Sequence, residues 1–177
     1  MKSSWRPDGA TKARQTITAD WQFTTQQLIA GVAVKEVKNV PTGYGFLTEI
    51  FREEWGLDSL PVGQVFQAVL RPGGISAWHA HECTTDRLFV NTGLLHIVLY
   101  DGREFSPTYG TVNEFRLGSL RPALIVVPPK VWHGIHNISD ETSSTLNLVD
   151  RAYRYEDPDH WRLPPDSPQI PYRFSSV

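Results

Sequence analysis

Gly73-Gly74-Ile75-Ser76-Ala77-Trp78-His79-Ala80-His81-Glu82-Cys83-Thr84-Thr85-Asp86-Arg87-Leu88-Phe89-Val90-Asn91-Thr92-Gly93 is the stretch on which the reading of this chain turns. Two histidines stand two residues apart in a segment with the composition of a strand. On a strand, residues i and i+2 project from one face, so the His79 and His81 imidazoles can aim at one spot. An acid, Asp86, follows a short turn, and a second strand opens with Arg87-Leu88-Phe89-Val90. Later in the chain, Pro128-Pro129-Lys130-Val131-Trp132-His133-Gly134 brings another histidine after a β-rich run. The pattern is that of an active-site strand pair in a small β-barrel.

Outward from this stretch, turn signals recur about every 8 to 12 residues, the spacing of an all-β sandwich or barrel. Leu28 to Val37 predicts a first strand or two, ended by Asn39-Val40-Pro41-Thr42-Gly43. Tyr44 to Phe51 predicts another, and Gly56 to Gly63 a turn-rich connection. Strands are further expected at Val65–Arg71, at Leu94–Tyr100, whose continuous apolar run suits a strand covered on both faces, and at Val112–Leu117, Ala123–Val127, Trp132–Ile138 and Ser144–Asp150. Three regions follow: a polar arm over residues 1–27, a barrel over 28–152, and a proline- and aromatic-rich strap over 153–177. The strap is expected to pack on the barrel, because Trp161, Tyr172 and Phe174 would be costly to expose together.

Composition narrows the function. With 177 residues, one domain with a sizeable core is favoured. A formal net charge of -2 without blocks of like charge gives no support for nucleic acid or an anionic membrane as partner. Arginine makes up 12 of the 17 basic residues, which leans toward a small anionic ligand held bidentately. A single cysteine, Cys83, forbids an intrachain disulfide, and Met1-Lys2-Ser3-Ser4 leads into polar sequence, not an apolar leader. No apolar run reaches the roughly 20 residues that span a bilayer. The expected location is the cytoplasm.

The spacing Gly73, His79-x-His81, Asp86, Gly93 resembles the first motif of the cupins, with Asp86 where glutamate is usual. Pro128, His133 and Asn137 resemble the second, with Lys130 where glycine is usual. The resemblance implies a double-stranded β-helix (jelly-roll) barrel. In metal-binding cupins the matching ligands would be His79, His81, Asp86 and His133, a set suited to a divalent transition metal. Asp86 reaches one methylene less far than the usual glutamate.

A longer resemblance, from about Ile29 to Phe174, is to the dTDP-4-dehydrorhamnose 3,5-epimerases, a metal-independent branch of the same superfamily. It is carried by Gly45-Phe46-Leu47-Thr48-Glu49-Ile50-Phe51, Ser106-Pro107-Thr108-Tyr109-Gly110, Val127-Pro128-Pro129-Lys130-Val131-Trp132-His133-Gly134 and Pro165-Asp166-Ser167-Pro168. It implies proton removal and return beside the 4-keto group of a dTDP-bound 6-deoxyhexose, at one or two carbons, in deoxysugar and polysaccharide biosynthesis. It also implies a homodimer and no cofactor. The chemistry requires a base near neutral pKa, a proton donor on the opposite face and positive charge near the enolate oxygen.

By the resemblance the base is His79, its carboxylate partner Asp166, the keto-oxygen cation Arg87, and the second histidine His133. Glu49, Asn147 and Arg71 join His133 as candidates for binding substrate. Glu49, between Leu47 and Phe51, would need a cation if buried, and Arg52, Arg71 or Arg103 could serve it or clamp a pyrophosphate. The chain departs from the family near position 146, where Leu146 and Asn147 replace the proton-donating tyrosine; either Tyr153, Tyr100 or water takes the role, or the enzyme acts at one carbon only, or the epimerase activity is gone. The alternatives are a metal-dependent cupin isomerase or dioxygenase, and a non-catalytic sugar-binding relative. His96 reads as a hydrogen-bonded core residue, His136 as facing away from the site, His160 as solvated in a turn, and Cys83 as a thiol without an activating cation.

Overall fold

A computed structural model of the chain describes residues 5–13, 15–21, 24 and 26–174. The polar start at residues 1–4, positions 14, 22, 23 and 25 of the expected arm, and residues 175–177 lie outside the described residues. Among the described residues no helix is long and apolar enough to cross a membrane.

The strands are β1 (Ala33–Glu36), β2 (Asn39–Thr42), β3 (Gly45–Thr48), β4 (Gln64–Leu70), β5 (Ile75–Ala80), β6 (Asp86–Thr92), β7 (Leu94–Tyr100), β8 (Val112–Gly118), β9 (Ala123–Val127), β10 (Trp132–Asn137), β11 (Ser143–Val149) and β12 (Trp161–Arg162). Two five-stranded antiparallel sheets, β1-β9-β6-β11-β4 and β12-β5-β10-β7-β8, face each other as a jelly roll. The expected all-β barrel is what the chain forms. One local expectation is corrected: Asn39–Thr42 does not end a strand but is one, paired with β3 across the Gly43-Tyr44 turn. The strap adds β12 to the edge of the second sheet.

Alternation along each strand builds the core. Leu88 and Val90 of β6, Leu95, Ile97 and Leu99 of β7, Phe115 and Leu117 of β8 and Ile125 and Val127 of β9 point between the sheets. Each such side chain contributes roughly 1.5–3 kcal/mol by leaving water. The outward residues of β7 are buried too: Val98 and Tyr100 lie with Trp78 under Ile170, Leu163, Tyr172 and Phe174 of the strap. This second cover is why Leu94–Tyr100 reads as a continuous apolar run. Leu163 and Trp78 exchange backbone hydrogen bonds of 3.0 and 2.8 Å, fixing the strap to β5. His96 and His136, cross-strand neighbours on this outer face, are both buried. His96 meets Glu114 at 2.9 Å and His136 meets the Phe174 ring, so His136 is covered by the strap and is not a surface residue.

The Ser106-Pro107-Thr108 element has a structural cause. The buried Asp101 carboxylate accepts hydrogen bonds from Arg103 (2.7 Å), Ser106 (2.5 Å) and Thr108 (2.7 Å), and Thr108 Oγ1 accepts one from Ala30 N–H (2.8 Å). Burial alone would raise the Asp101 pKa, but these donors hold it far below the usual carboxylate range. Arg103 is therefore committed to Asp101, and Glu49, exposed after β3, pairs with Arg52 at 2.5 Å. The Glu49 carboxylate is not buried, because the β2–β3 hairpin stands apart from both five-stranded sheets.

Lys130 occupies the turn before β10 with φ +66°, where the family pattern has glycine, and its N–H donates to His81 O at 2.6 Å. A side chain in this left-handed conformation costs about 1–2 kcal/mol, partly offset by the lower unfolded-state entropy it brings. Lys130→Gly should raise stability by roughly 0.5–1 kcal/mol, read from the urea midpoint. A lower midpoint would mean that the lysine side chain contributes more than the backbone strain removes. Gly93 is the opposite case: at φ +77° a Cβ there would lie 2.0 Å from Ser143 Oγ.

Candidate active site

One end of the barrel opens into a cavity of about 640 Å³ between the two sheets, roofed by the segment from Arg151 to Arg162. Its floor is organised by register. His79 of β5 lies opposite His133 of β10 on one side and Arg162 of β12 on the other. Directly opposed residues of antiparallel strands share a face, so these three form a row. The expected geometry of the His79-x-His81 pair holds. Both imidazoles point into the cavity, with ring centroids 6.2 Å apart, while the intervening residue, Ala80, is buried.

His79 is half-buried, and its nearest rings are those of His133 (4.0 Å between centroids), His160 (5.4 Å) and His81 (6.2 Å). Burial, then the nearby His133, His160, His81 and Arg162, push its pKa well below the ordinary histidine value. At neutral pH it is an unprotonated imidazole facing the cavity, free to accept a proton, and in this surrounding a weaker base than an ordinary histidine.

Behind this base lies a charged cluster. Asp86, 1 % exposed, places Oδ2 3.2 Å from His81 Nε2 and 3.4 Å from His133 Nε2. Its Oδ1 accepts from Asn147 Nδ2 at 2.7 Å. Burial works to raise the Asp86 pKa, but His81, His133 and Asn147 outweigh it and the carboxyl falls below its usual value. His133, 1 % exposed, donates Nδ1–H to Val131 O at 3.1 Å, and His81 donates Nδ1–H to the Asp159 carbonyl. Burial is opposed at His81 by Asp86 and the Asp159 carbonyl, and the His81 pKa rises; at His133 burial prevails and the pKa falls.

The roof is fastened by the pairing of β12 with β5, by the Tyr153 N–H donated to Gln64 Oε1 at 2.8 Å, and by Asp159. The Asp159 carboxylate accepts from Glu82 N–H (2.6 Å), Cys83 N–H (2.9 Å), Thr84 N–H (2.9 Å) and the Thr84 hydroxyl (2.8 Å). It thereby gathers the turn that follows His81. His160, expected to be solvated, is half-buried in the cavity wall 5.2 Å from the His81 ring.

The structure does not bring every candidate to the cavity. Arg87 is fully buried on the other side of β6: it donates to Asp58 Oδ1 (2.5 Å) and Oδ2 (2.8 Å) and to the Leu60 carbonyl (2.8 Å), over the Phe51 ring. The physical reason is strand alternation, since Asp86 points inward and its neighbour must point out. Asp166 is exposed on the strap, and the carboxylate among the histidines is Asp86 instead. Arg71 stands exposed past the end of β4 and, like Glu49, does not line the cavity. Asn147 does line it and holds Asp86, whereas Leu146 faces outward opposite Phe89. Of the tyrosines considered as donors, Tyr153 is in the cavity wall, stacked edge-on with Tyr155, and Tyr100 is under the strap. The cation beside His79 is Arg162, and only the β12 pairing identifies it.

A jelly roll with a histidine-floored cavity at one end defines a small-molecule cupin. No family model matches the chain. It is 34 % identical over 139 residues to the probable low-salt glycan biosynthesis epimerase Agl13 of Haloferax volcanii, covering 78 % of this chain and 89 % of that protein. It is 31 % identical over 149 residues to the spore coat polysaccharide biosynthesis protein SpsL of Bacillus subtilis, covering 84 % of this chain and 98 % of that one. Among solved structures, a dTDP sugar isomerase from Desulfovibrio desulfuricans superposes with a TM-score of 0.76 at 30 % identity, covering 81 % of this chain and 90 % of that one. The chain belongs to the sugar-epimerase family of cupins that includes the dTDP-4-dehydrorhamnose 3,5-epimerases, and it is an enzyme of the isomerase class.

Proposed function

We propose that the protein epimerises a dTDP-4-keto-6-deoxyhexose beside its keto group, supplying a sugar for glycan or surface-polysaccharide assembly in the cytoplasm. The observation that carries this reading is His79, a base kept unprotonated by burial and flanking imidazoles at the floor of a cavity large enough for a sugar. Removing the proton beside the carbonyl creates an enolate. Arg162, in register with His79, supplies permanent positive charge beside it. Tyr153 is the hydroxyl we assign to the opposite face, and Arg151 and Arg154 line the mouth where a pyrophosphate would leave the cavity. The test is deuterium uptake from heavy water into dTDP-4-keto-6-deoxyglucose, followed by NMR. Uptake at C3, with or without C5, is expected. A full-length folded enzyme that exchanges neither proton would sink the assignment and favour a sugar-binding relative.

The same reading includes a homodimer. β4 is a free sheet edge whose outward residues Val65 and Val69 are 55 % and 61 % exposed, and Phe46 and Leu47 of the hairpin are also exposed. Free edges and apolar surface of this kind invite a second copy. Light scattering should give twice the chain mass, and Val69→Lys should reduce it to one. A monomeric wild-type protein at micromolar concentration would refute the dimer.

A further inference from the structure

We propose that Thr145 Oγ1 and Asn147 Oδ1 form the binding site for the 2-hydroxyl group of the sugar, and so restrict the enzyme to substrates that keep an oxygen at C2. The inference rests on the substrate class proposed above and adds to it a choice between 2-hydroxy and 2-deoxy sugars.

The two residues stand two apart on β11, on the face opposite to Leu146, and both line the cavity. Thr145 is 1 % exposed and Asn147 6 %. Neither Thr145 Oγ1 nor Asn147 Oδ1 has a hydrogen-bond partner among the described residues. The strand register explains why. Thr145 lies between Ala68 of β4 and Val90 of β6, and Asn147 between Phe66 and Leu88, so every cross-strand neighbour is apolar. Asn147 cannot turn to relieve this. Its Nδ2 donates to Asp86 Oδ1 at 2.7 Å, and a carboxylate only accepts, so the amide oxygen is the end left over.

Buried polar atoms without a partner cost stability, and β11 carries two side by side. Water entering the cavity can serve them, but a ligand that displaces it loses affinity unless it offers the same bonds. The requirement is specific. Asn147 Oδ1 only accepts, while the Thr145 hydroxyl both donates and accepts. Residues two apart on a strand are separated by roughly 6.6 Å, so one hydroxyl can donate to Asn147 and accept from Thr145. A methylene does neither, and a keto or ether oxygen leaves Asn147 unserved. A 4-keto-6-deoxyhexose linked through C1 offers hydroxyls at C2 and C3 alone. Inversion at C3 swings its oxygen to the other face of the ring, whereas the C2 oxygen keeps its place throughout. A fixed pair of partners on a strand suits the oxygen that does not move. Through Asp86 and His133, Asn147 is also tied to the row that holds His79, so subsite and base share one frame.

The experiment compares dTDP-6-deoxyglucose with its 2-deoxy analogue by calorimetry, on wild-type protein and on Thr145→Val. Both sugars lack the keto group, so binding is read without turnover. The wild type should bind the 2-hydroxy sugar roughly 10- to 100-fold more tightly than the analogue. Thr145→Val keeps the shape of the side chain, and should cut that preference to a few-fold while binding the 2-deoxy sugar within about twofold of wild type. The ligand-free variant should melt no lower than the wild type, because the hydroxyl it loses has no partner in the chain. Equal binding of the two sugars by the wild type, or a preference that survives in Thr145→Val, would overturn the subsite. So would a ligand-free variant that melts several degrees lower, since the hydroxyl would then have a partner within the protein. A wild type that shows the preference but exchanges no proton of dTDP-4-keto-6-deoxyglucose would keep the subsite and sink the epimerase assignment. A wild type that binds neither sugar would overturn both.

Discussion

His79→Gln is expected to lower epimerisation and solvent exchange by at least about 10³-fold with little change in stability. Glutamine keeps the polarity and most of the volume of histidine but takes up no proton at neutral pH. The half-buried ring faces the cavity, so its removal leaves the core between the sheets intact. The measurement is deuterium incorporation per turnover in the wild type and the variant, together with their melting temperatures. Retained exchange in a folded variant would move the base elsewhere, with His160 next in line on the cavity wall. An unfolded variant would show that the imidazole is structural.

Arg87→Ala is expected to cost roughly 3–5 kcal/mol of stability, the usual penalty for removing one partner of a buried ion pair. The guanidinium satisfies both oxygens of Asp58 and the carbonyls of Leu60 and Pro61, which ties the 58–61 connection to the outside of β6. Its loss leaves Asp58 with the Leu60 N–H as its remaining donor, frees the Leu60 and Pro61 carbonyls, and empties the fully buried position that the guanidinium filled. For a domain of this size the melting temperature should fall by about 10 °C. Below the transition, the folded variant should keep its kcat. A variant of normal stability with a depressed kcat would instead put Arg87 at the keto oxygen, the role the family pattern suggests.

Arg87 also shows where sequence reading stops. The alternation rule that joined His79 to His81 separates Asp86 from Arg87, so once Asp86 is placed inside, Arg87 is outside. That information was present in the sequence; the family correspondence pointed elsewhere. The fold itself was legible because strand periodicity and regular turns are local signals, and even the double cover of Leu94–Tyr100 left its mark as an unbroken apolar run. The pairing of His79 with His81 was legible for the same reason, whereas the cupin resemblance was what joined Asp86 and His133 to them. What could not be read was the course of residues 151–162, which carry no periodicity. Their path is set by contacts distant in sequence, chiefly Asp159 on the backbone of residues 82–84 and Leu163 on Trp78. Hence His160 and Arg162 were missed, and Asp166 was given a place that its exposed position on the strap does not support.

The attachment of the roof through Asp159 separates two kinds of heritable change. The roof touches the barrel through a few anchoring bonds, and the residues between them face the cavity instead of the core between the sheets. Around Tyr153 and the two arginines assigned to the reaction, lineages can therefore lengthen, shorten or recolour the span between Arg151 and Pro158, and so alter which sugar is admitted, while the layers beneath inherit their packing unchanged. Selectivity and foldability are encoded in different parts of this chain, and drift in one need not be compensated in the other.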